Sequence, residues 1–249
     1  FVSGSRYPRM ARNTFRTPAG QEVTAVTAAG MREVDRVAVE EVGLQLLQMM
    51  ENAGRALAWH VRAARDDESV VVVAGDGGNG GGGLTCARHL ANRDVPVRVV
   101  LDRPSEDLSG AAAHQCRILE ATDVTVATGP DAIDRFDEPT VRVDALVGYG
   151  VHGEMRPPAA NYVEELNRTV DPVVSLDVPS GMDATTGDTN GVRVHPDRTV
   201  TLALPKTGLD AVDGPLYLAD IGIPATVYDR LGIDYGPPFD DADWVELVE

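Results

Sequence analysis

Residues 69–90, SVVVVAGDGGNGGGGLTCARHL, limit the possible folds more than any other stretch of the chain. Four consecutive valines, with charge before them and glycine after, read as a fully buried strand of the kind found in parallel sheets. Seven glycines lie between Gly75 and Gly83. From about Gly80, the residues Leu84, Ala87, Arg88 and Leu90 fall at helical spacing. The order is therefore strand, glycine turn, helix. Such a turn suits an anion, because glycine lets the backbone approach a ligand closely. The helix adds unpaired N–H groups and its positive dipole end. No Gly-Lys-Ser/Thr follows, which rules out a P-loop, and Gly75, Gly77 and Gly80 match the dinucleotide fingerprint only as a lone GxGxxG does. A flexible loop without a ligand is the alternative reading of these residues.

The remaining chain alternates in the same way. A helix capped by Thr27 is expected to end at Gly43, and a second to run from Leu44 to about Ala64. Gly54 costs that second helix about 1 kcal/mol relative to alanine, which implies close packing against it. Strands are expected at Pro96–Leu101, Val124–Ala127, Val141–Val147 and Pro172–Leu176, with helices at about Ser109–Glu120 and Ala159–Thr169. This spacing predicts an α/β fold with a parallel sheet covered on both faces. A ligand would then sit beyond the carboxyl ends of the strands. The pattern turns to β at Val192–Val194, Thr199–Leu204 and Leu216–Leu218. No function is assigned to the acidic, proline-broken last thirty residues. With 249 residues and no dividing linker, a single domain is expected over 27–249, preceded by a flexible segment over 1–26.

The formal net charge of −17 argues against nucleic acid or an anionic membrane as a partner. No apolar run approaches the roughly 18 residues that span a bilayer, and the polar start lacks a signal-peptide core. A cytoplasmic protein is expected. Its acidic surface resembles that of proteins from a high-salt cytoplasm, where a Debye length of about 3 Å at molar salt screens self-repulsion. Stability should then fall at low salt. Of the 22 basic residues only Lys206 is a lysine. Cys86 and Cys116 have no second Cys or His at metal-ligand spacing and read as reduced core thiols.

Three expected strand ends carry glycine together with a polar residue: Gly75–Gly83, Asp144 with Gly148–Gly153, and Asp177–Gly181. A shared cleft is the economical reading. Asp177 would emerge where a buried strand meets that cleft, where desolvation would suit it to acid or base work; capping the following turn is the alternative. Asp144, Asn79 and Ser180 offer hard oxygens, suited to an alkali or alkaline-earth ion rather than zinc. Of the five histidines only His152 falls in a loop that reaches the cleft. The lone Lys206 could serve as a compact ammonium beside a phosphate or carboxylate.

These motifs, taken in order, resemble the YjeF N-terminal domain family, whose enzymatic members are NAD(P)H-hydrate epimerases. The resemblance spans about Gly30 to Ile221. It rests on Met31–Asp35, Met50–Gly54, Gly148-Tyr149-Gly150, Asp177–Asp183 and Pro205–Leu209. It implies a Rossmann-like three-layer αβα sandwich with a mostly parallel sheet, usually a homodimer, that acts on NADHX or NADPHX. By position, Asp177 matches the family's catalytic and substrate-contacting aspartate. Asn79, Asp144 and Ser180 match its potassium (K+) ligands. Gly78, Asn79, Gly80, Gly81 and Gly82 match one substrate loop, and Gly148, Tyr149, Gly150, Val151, His152, Gly153 and Glu154 a second. The chain departs from the family at Gly78 and Gly82, where the pattern has Asn and Asp. The departure at Gly82 puts one substrate contact in doubt and leaves a non-catalytic binding domain as an alternative. A nicotinamide-dependent oxidoreductase is a third reading, since Asp102 follows Val99-Val100-Leu101 about 20 residues past the glycines.

Overall fold

A computed structural model describes residues 13–66, 68–134, 140–150, 153–168 and 170–248. Val70 to Ala74 are all fully buried and form strand β3 (Ser69–Ala74) at the centre of an eight-stranded sheet. Around it lie β4 (Val97–Leu101), β5 (Thr125–Thr128), β6 (Thr140–Ala145), β7 (Val173–Leu176), β8 (Arg198–Leu202), β9 (Leu216–Ala219) and β10 (Trp244–Leu247). Their order is β10-β9-β8-β7-β6-β3-β4-β5. All neighbours are parallel except β10, which runs antiparallel to β9. The stretch β5-β4-β3-β6-β7-β8 has the strand order of a doubly wound dinucleotide-binding sheet, whose direction of winding reverses between β3 and β6.

Both faces are covered, as the continuous apolar strands require. On one face Val70, Val72, Val99 and Val143 pack with Leu57, Leu84, Leu90 and Leu119, from helices α2 (Leu46–Ala63), α3 (Gly78–Ala91) and α4 (Gly110–Glu120). On the other, Val71, Val73 and Val100 pack with Val163 and Leu166 of α5 (Ala159–Asn167). Helices α1 (Ala28–Arg36) and α6 (Ala225–Leu231) close one end of the sandwich. Cys86 and Cys116 are buried and free. Among the described residues no helix is long and apolar enough to cross a membrane.

Two expectations are corrected. Residues 14–24 form a hairpin of β1 (Thr14–Arg16) and β2 (Glu22–Thr24), with Phe15 and Val23 buried against Leu216 and Leu218, so the segment expected to be flexible to residue 26 is folded over those residues. Val192–Val194 is not a strand, whereas the first helix does end at Gly43, its last turn over Val37–Val42 being π-helical after α1 stops at Arg36. The acidic tail supplies α6 and β10. Pro224, one of its three prolines, occupies the N-cap position of α6, where it does not prevent a helix.

Candidate active site

Beyond the carboxyl ends of the parallel strands lies a cavity of about 460 Å³. The three strand ends meet there as expected: Asp76–Asn79, Leu146–Gly150 and Asp177 all line it, joined by Met31, Arg32 and Asp35 from α1 and by Leu46, Met49, Met50 and Ala53 from α2.

Asp177 occupies a tightly constrained position. β7 ends in a turn in which Val178 N–H donates to Leu176 O at 2.9 Å, with Asp177 between them at φ 66. The next strand does the same: Leu204 N–H donates to Leu202 O at 2.7 Å around Ala203 at φ 62. A left-handed non-glycine residue costs on the order of 1–3 kcal/mol and persists where its surroundings hold it. Here they bring Lys206 under Asp177. The lysine is 1% exposed; its Nζ donates to Asp177 Oδ1 and to Leu202 O at 2.9 Å. Oδ1 also accepts from Leu202 N–H at 3.2 Å and lies 3.3 Å from Thr201 Oγ1. Among the described residues, every bond to the Asp177 carboxylate falls on this one oxygen. The other, Oδ2, faces the cleft at Gly148, where an added Cβ would lie 3.1 Å from it and 3.2 Å from Asn79 Oδ1. The glycine thus keeps open a space on which a carboxylate oxygen and an amide oxygen converge.

Tyr149 forms a wall over this pair. Its ring centroid is 5.8 Å from Lys206 Nζ, and its hydroxyl donates to Asp35. Burial raises both the Asp35 carboxyl and the Tyr149 hydroxyl above their ordinary pKa ranges.

Asp144 lies beneath the cavity and is fully buried. Ser180 N–H donates to it at 2.9 Å, the Ser180 hydroxyl at 2.6 Å, the Ser175 hydroxyl at 2.8 Å and Leu146 N–H at 3.3 Å. Among the described residues no side-chain cation pairs with it, and burial raises its pKa. Asn79 Nδ2 is buried without a partner. A buried carboxylate lacking a counter-charge, beside the Ser180 hydroxyl, offers hard oxygens suited to a monovalent cation, while the Asn79 amide oxygen converges with Asp177 Oδ2 at Gly148.

The glycine run behaves differently from the expected loop. Gly77 caps α3 from outside, and the helix already begins at Gly78. Gly78 and Asn79 line the cavity; Gly80, Gly81 and Gly82 do not, because they sit where α3 crosses its neighbours. A Cβ would lie 1.7 Å from Gly75 O at Gly80, 2.5 Å from Met50 Cε at Gly81 and 2.7 Å from Leu176 Cδ2 at Gly82. At Gly54 of α2 it would lie 2.5 Å from Thr85, which is the close packing its position implied. Gly153 and Glu154 also lie away from the lining; Glu154 stands beside Gly191. Val151 and His152 fall outside the described residues.

Sequence reasoning singled out Lys206 but did not join it to Asp177, and it gave no role to Asp35, Asp76 or Arg103, which all line the cavity. For Asp35 the signal lay in the Met31–Asp35 motif. For the other two it lay only in their positions next to strand ends.

Sheet order, cavity and strand-end carboxylates define a doubly wound α/β protein with a nucleotide-sized site at its switch point. The chain belongs to the family described as YjeF-related protein N-terminus, which it matches over residues 46–208. It is 43% identical over 236 residues to an NAD(P)H-hydrate epimerase of Dehalogenimonas lykanthroporepellens, covering 90% of this chain and 93% of that one. A bifunctional NAD(P)H-hydrate repair enzyme, Nnr, of Salinibacter ruber is 39% identical over 226 residues; the match takes in 82% of this chain and 42% of that longer protein. The crystal structure of yeast YNL200c superposes with a TM-score of 0.77 at 27% identity, over 90% of this chain and all of that one.

Proposed function

We propose that the protein is an NAD(P)H-hydrate epimerase, an isomerase that interconverts the R and S forms of NADHX and NADPHX. The observation that carries this reading is the division of labour on Asp177: Oδ1 is held by Lys206 and Leu202, while Oδ2 is left facing the space beside Gly148.

The hydrated ring carries a hydroxyl on C6, next to the ring nitrogen N1. Inversion requires that C–O bond to break and re-form on the other face. A proton passes to the hydroxyl, the C–O electron pair leaves with water, and the N1 lone pair supports the resulting cation. Water then adds to the opposite face and gives up a proton. No net oxidation occurs, and a single carboxylate able to exchange a proton is sufficient. Asp177 Oδ2 takes that role, and Lys206 positions it and supplies its counter-charge. The apolar wall of Leu46, Met49 and Met50 limits access of bulk water to the cation.

Asn79, Asp144 and Ser180 would hold a potassium ion. When bound, the ion would supply the counter-charge that Asp144 lacks and fix the loops that carry the site. Gly82 in place of the family's Asp leaves the cavity lining intact, because its missing side chain would point at Leu176. By family resemblance the protein acts as a homodimer in the cytoplasm.

The test is epimerisation of purified R-NADHX in KCl, followed by chromatographic separation of the two forms. A rate well above the spontaneous one, lost in Asp177→Asn, is the expected result. Folded protein with no rate above background would instead favour a non-catalytic binding domain.

A further inference from the structure

The cavity has a second polar end that the chemistry at C6 does not use. Asp76, Asp102 and Arg103 line it there. Asp102 is the first residue after β4, fixed beside β3 by its N–H bond to Ala74 O at 3.0 Å. Between β4 and β7 stand β3 and β6. Three strand spacings of about 4.8 Å place the ends bearing Asp102 and Asp177 about 14 Å apart. A dinucleotide lying across a switch point puts its two ribosides over opposite sides of it, and an acid at the end of the second strand then accepts from the 2′-hydroxyl. An arginine nearby accommodates a 2′-phosphate instead. This chain has both residues side by side, so their mutual contacts decide between the two.

Arg103 is already committed. Its Nε and Nη2 each donate to Asp102 at 2.9 Å, and its Nη1 donates to Asp76 at 3.4 Å. Asp76 is anchored in turn by Ser109 N–H at 2.7 Å. The two carboxylate side chains are 13% and 15% exposed. Two carboxylates around one guanidinium leave a net negative charge at this end. A 2′-phosphate would have to enter that field and break a bidentate pair, whereas a hydroxyl needs only one lone pair of Asp102.

Resting on the epimerase reading, we infer that Asp76, Asp102 and Arg103 form the adenosine-ribose subsite and select the hydrated dinucleotide without a 2′-phosphate, NADHX over NADPHX. Two measurements test this on the wild type, Asp102→Ser and the isosteric Asp102→Asn. The first is kcat/KM for NADHX and NADPHX. The second is calorimetric binding of ADP-ribose and its 2′-phosphate, which involves no chemistry at the nicotinamide. The wild type should favour the unphosphorylated partner by tenfold or more in both. Both variants should bring the ratio to within about threefold of unity, with the change appearing in KM. Equal use of the two substrates by the wild type, a preference for the phosphate, or a ratio unmoved in both variants would overturn the assignment. Turnover of neither substrate, with the ADP-ribose preference intact and sensitive to Asp102, would sink the epimerase reading and leave the ribose subsite standing.

Discussion

Replacing Lys206 with methionine would keep the unbranched stem of the side chain and remove its charge. Asp177 is 3% exposed, and without Lys206 its Oδ1 would retain only the Leu202 N–H and the Thr201 hydroxyl, at 3.2 and 3.3 Å. Breaking a buried pair by removing one partner costs about 3–5 kcal/mol, because the other charge is left uncompensated. The methionine stem fills nearly the same space, so the added cavity cost is small. Lys206→Met should therefore lose about 3–5 kcal/mol of stability. Asp177→Asn, which leaves the ammonium buried, should also be costly. The double variant should cost less than the sum by about 2–3 kcal/mol, since the pair is lost only once. Urea unfolding followed by the fluorescence of Trp59 and Trp244 would measure all four proteins. A loss below about 1 kcal/mol in Lys206→Met, or strictly additive costs, would refute the view that the two side chains form one electrostatic unit.

Three further outcomes follow from the geometry. Gly78→Ala, with nothing within 4 Å of its Cβ, should stabilise the protein by roughly 0.4–1 kcal/mol, while Gly83→Ala, 2.4 Å from Ala145 Cβ, should destabilise it by about 1–3 kcal/mol; thermal melts that rank the two the other way would contradict the packing. If potassium binds at Asp144, exchanging choline chloride for KCl at equal ionic strength should raise Tm by about 2–4 °C for each kcal/mol of binding linkage, an increment that Asp144→Asn should abolish. Burial among Trp59, Tyr217 and Trp244, with Arg198 alongside, pushes the His60 imidazole down to about 3. The unfolded chain gains a proton below about pH 6.5 that the folded one refuses, so this contribution is complete above that value and is lost as pH falls toward about 3, by at most about 1.4 kcal/mol per pH unit. His60→Phe should flatten the acid limb of stability against pH by nearly one proton, and an unchanged slope would show that His60 is not the group responsible.

The parallel core was legible in the sequence because Val70–Val73 admit few other environments, and the strand-end carboxylates followed from where the apolar runs stop. The assembled site was less legible. Lys206 stood out as the lone lysine, yet its partner is 29 residues away, and they meet only because β7 and β8 end in matching reversals at Asp177 and Ala203. Sequence periodicity carries no sign of such reversals. Tyr149 and Asp35 are 114 residues apart and are joined by the way α1 folds over the cleft. In the glycine run, low helix propensity suggested a loop, but close contacts with Gly75, Met50 and Leu176 overrode that propensity from Gly78 onward. The tail was discounted for its charge and proline, although Trp244 to Leu247 pair with β9 along its free edge.

Five of the first six residues of α3 are glycine, and their empty Cβ positions at 80–83 are filled by other parts of the protein. Behind the cavity, positions 80–83 are therefore closed to variation, since any side chain added there would push against the sheet or α2 before it met a ligand, and Gly78 is the one glycine of α3 that lines the cavity with open space at its Cβ. Changes in ligand preference are left to Gly78, the rim at Asp102 and Arg103, the methionines of α2 and the segment after Gly148. A descendant of this chain could acquire a new substrate by exchanging those residues while its backbone floor stayed the same.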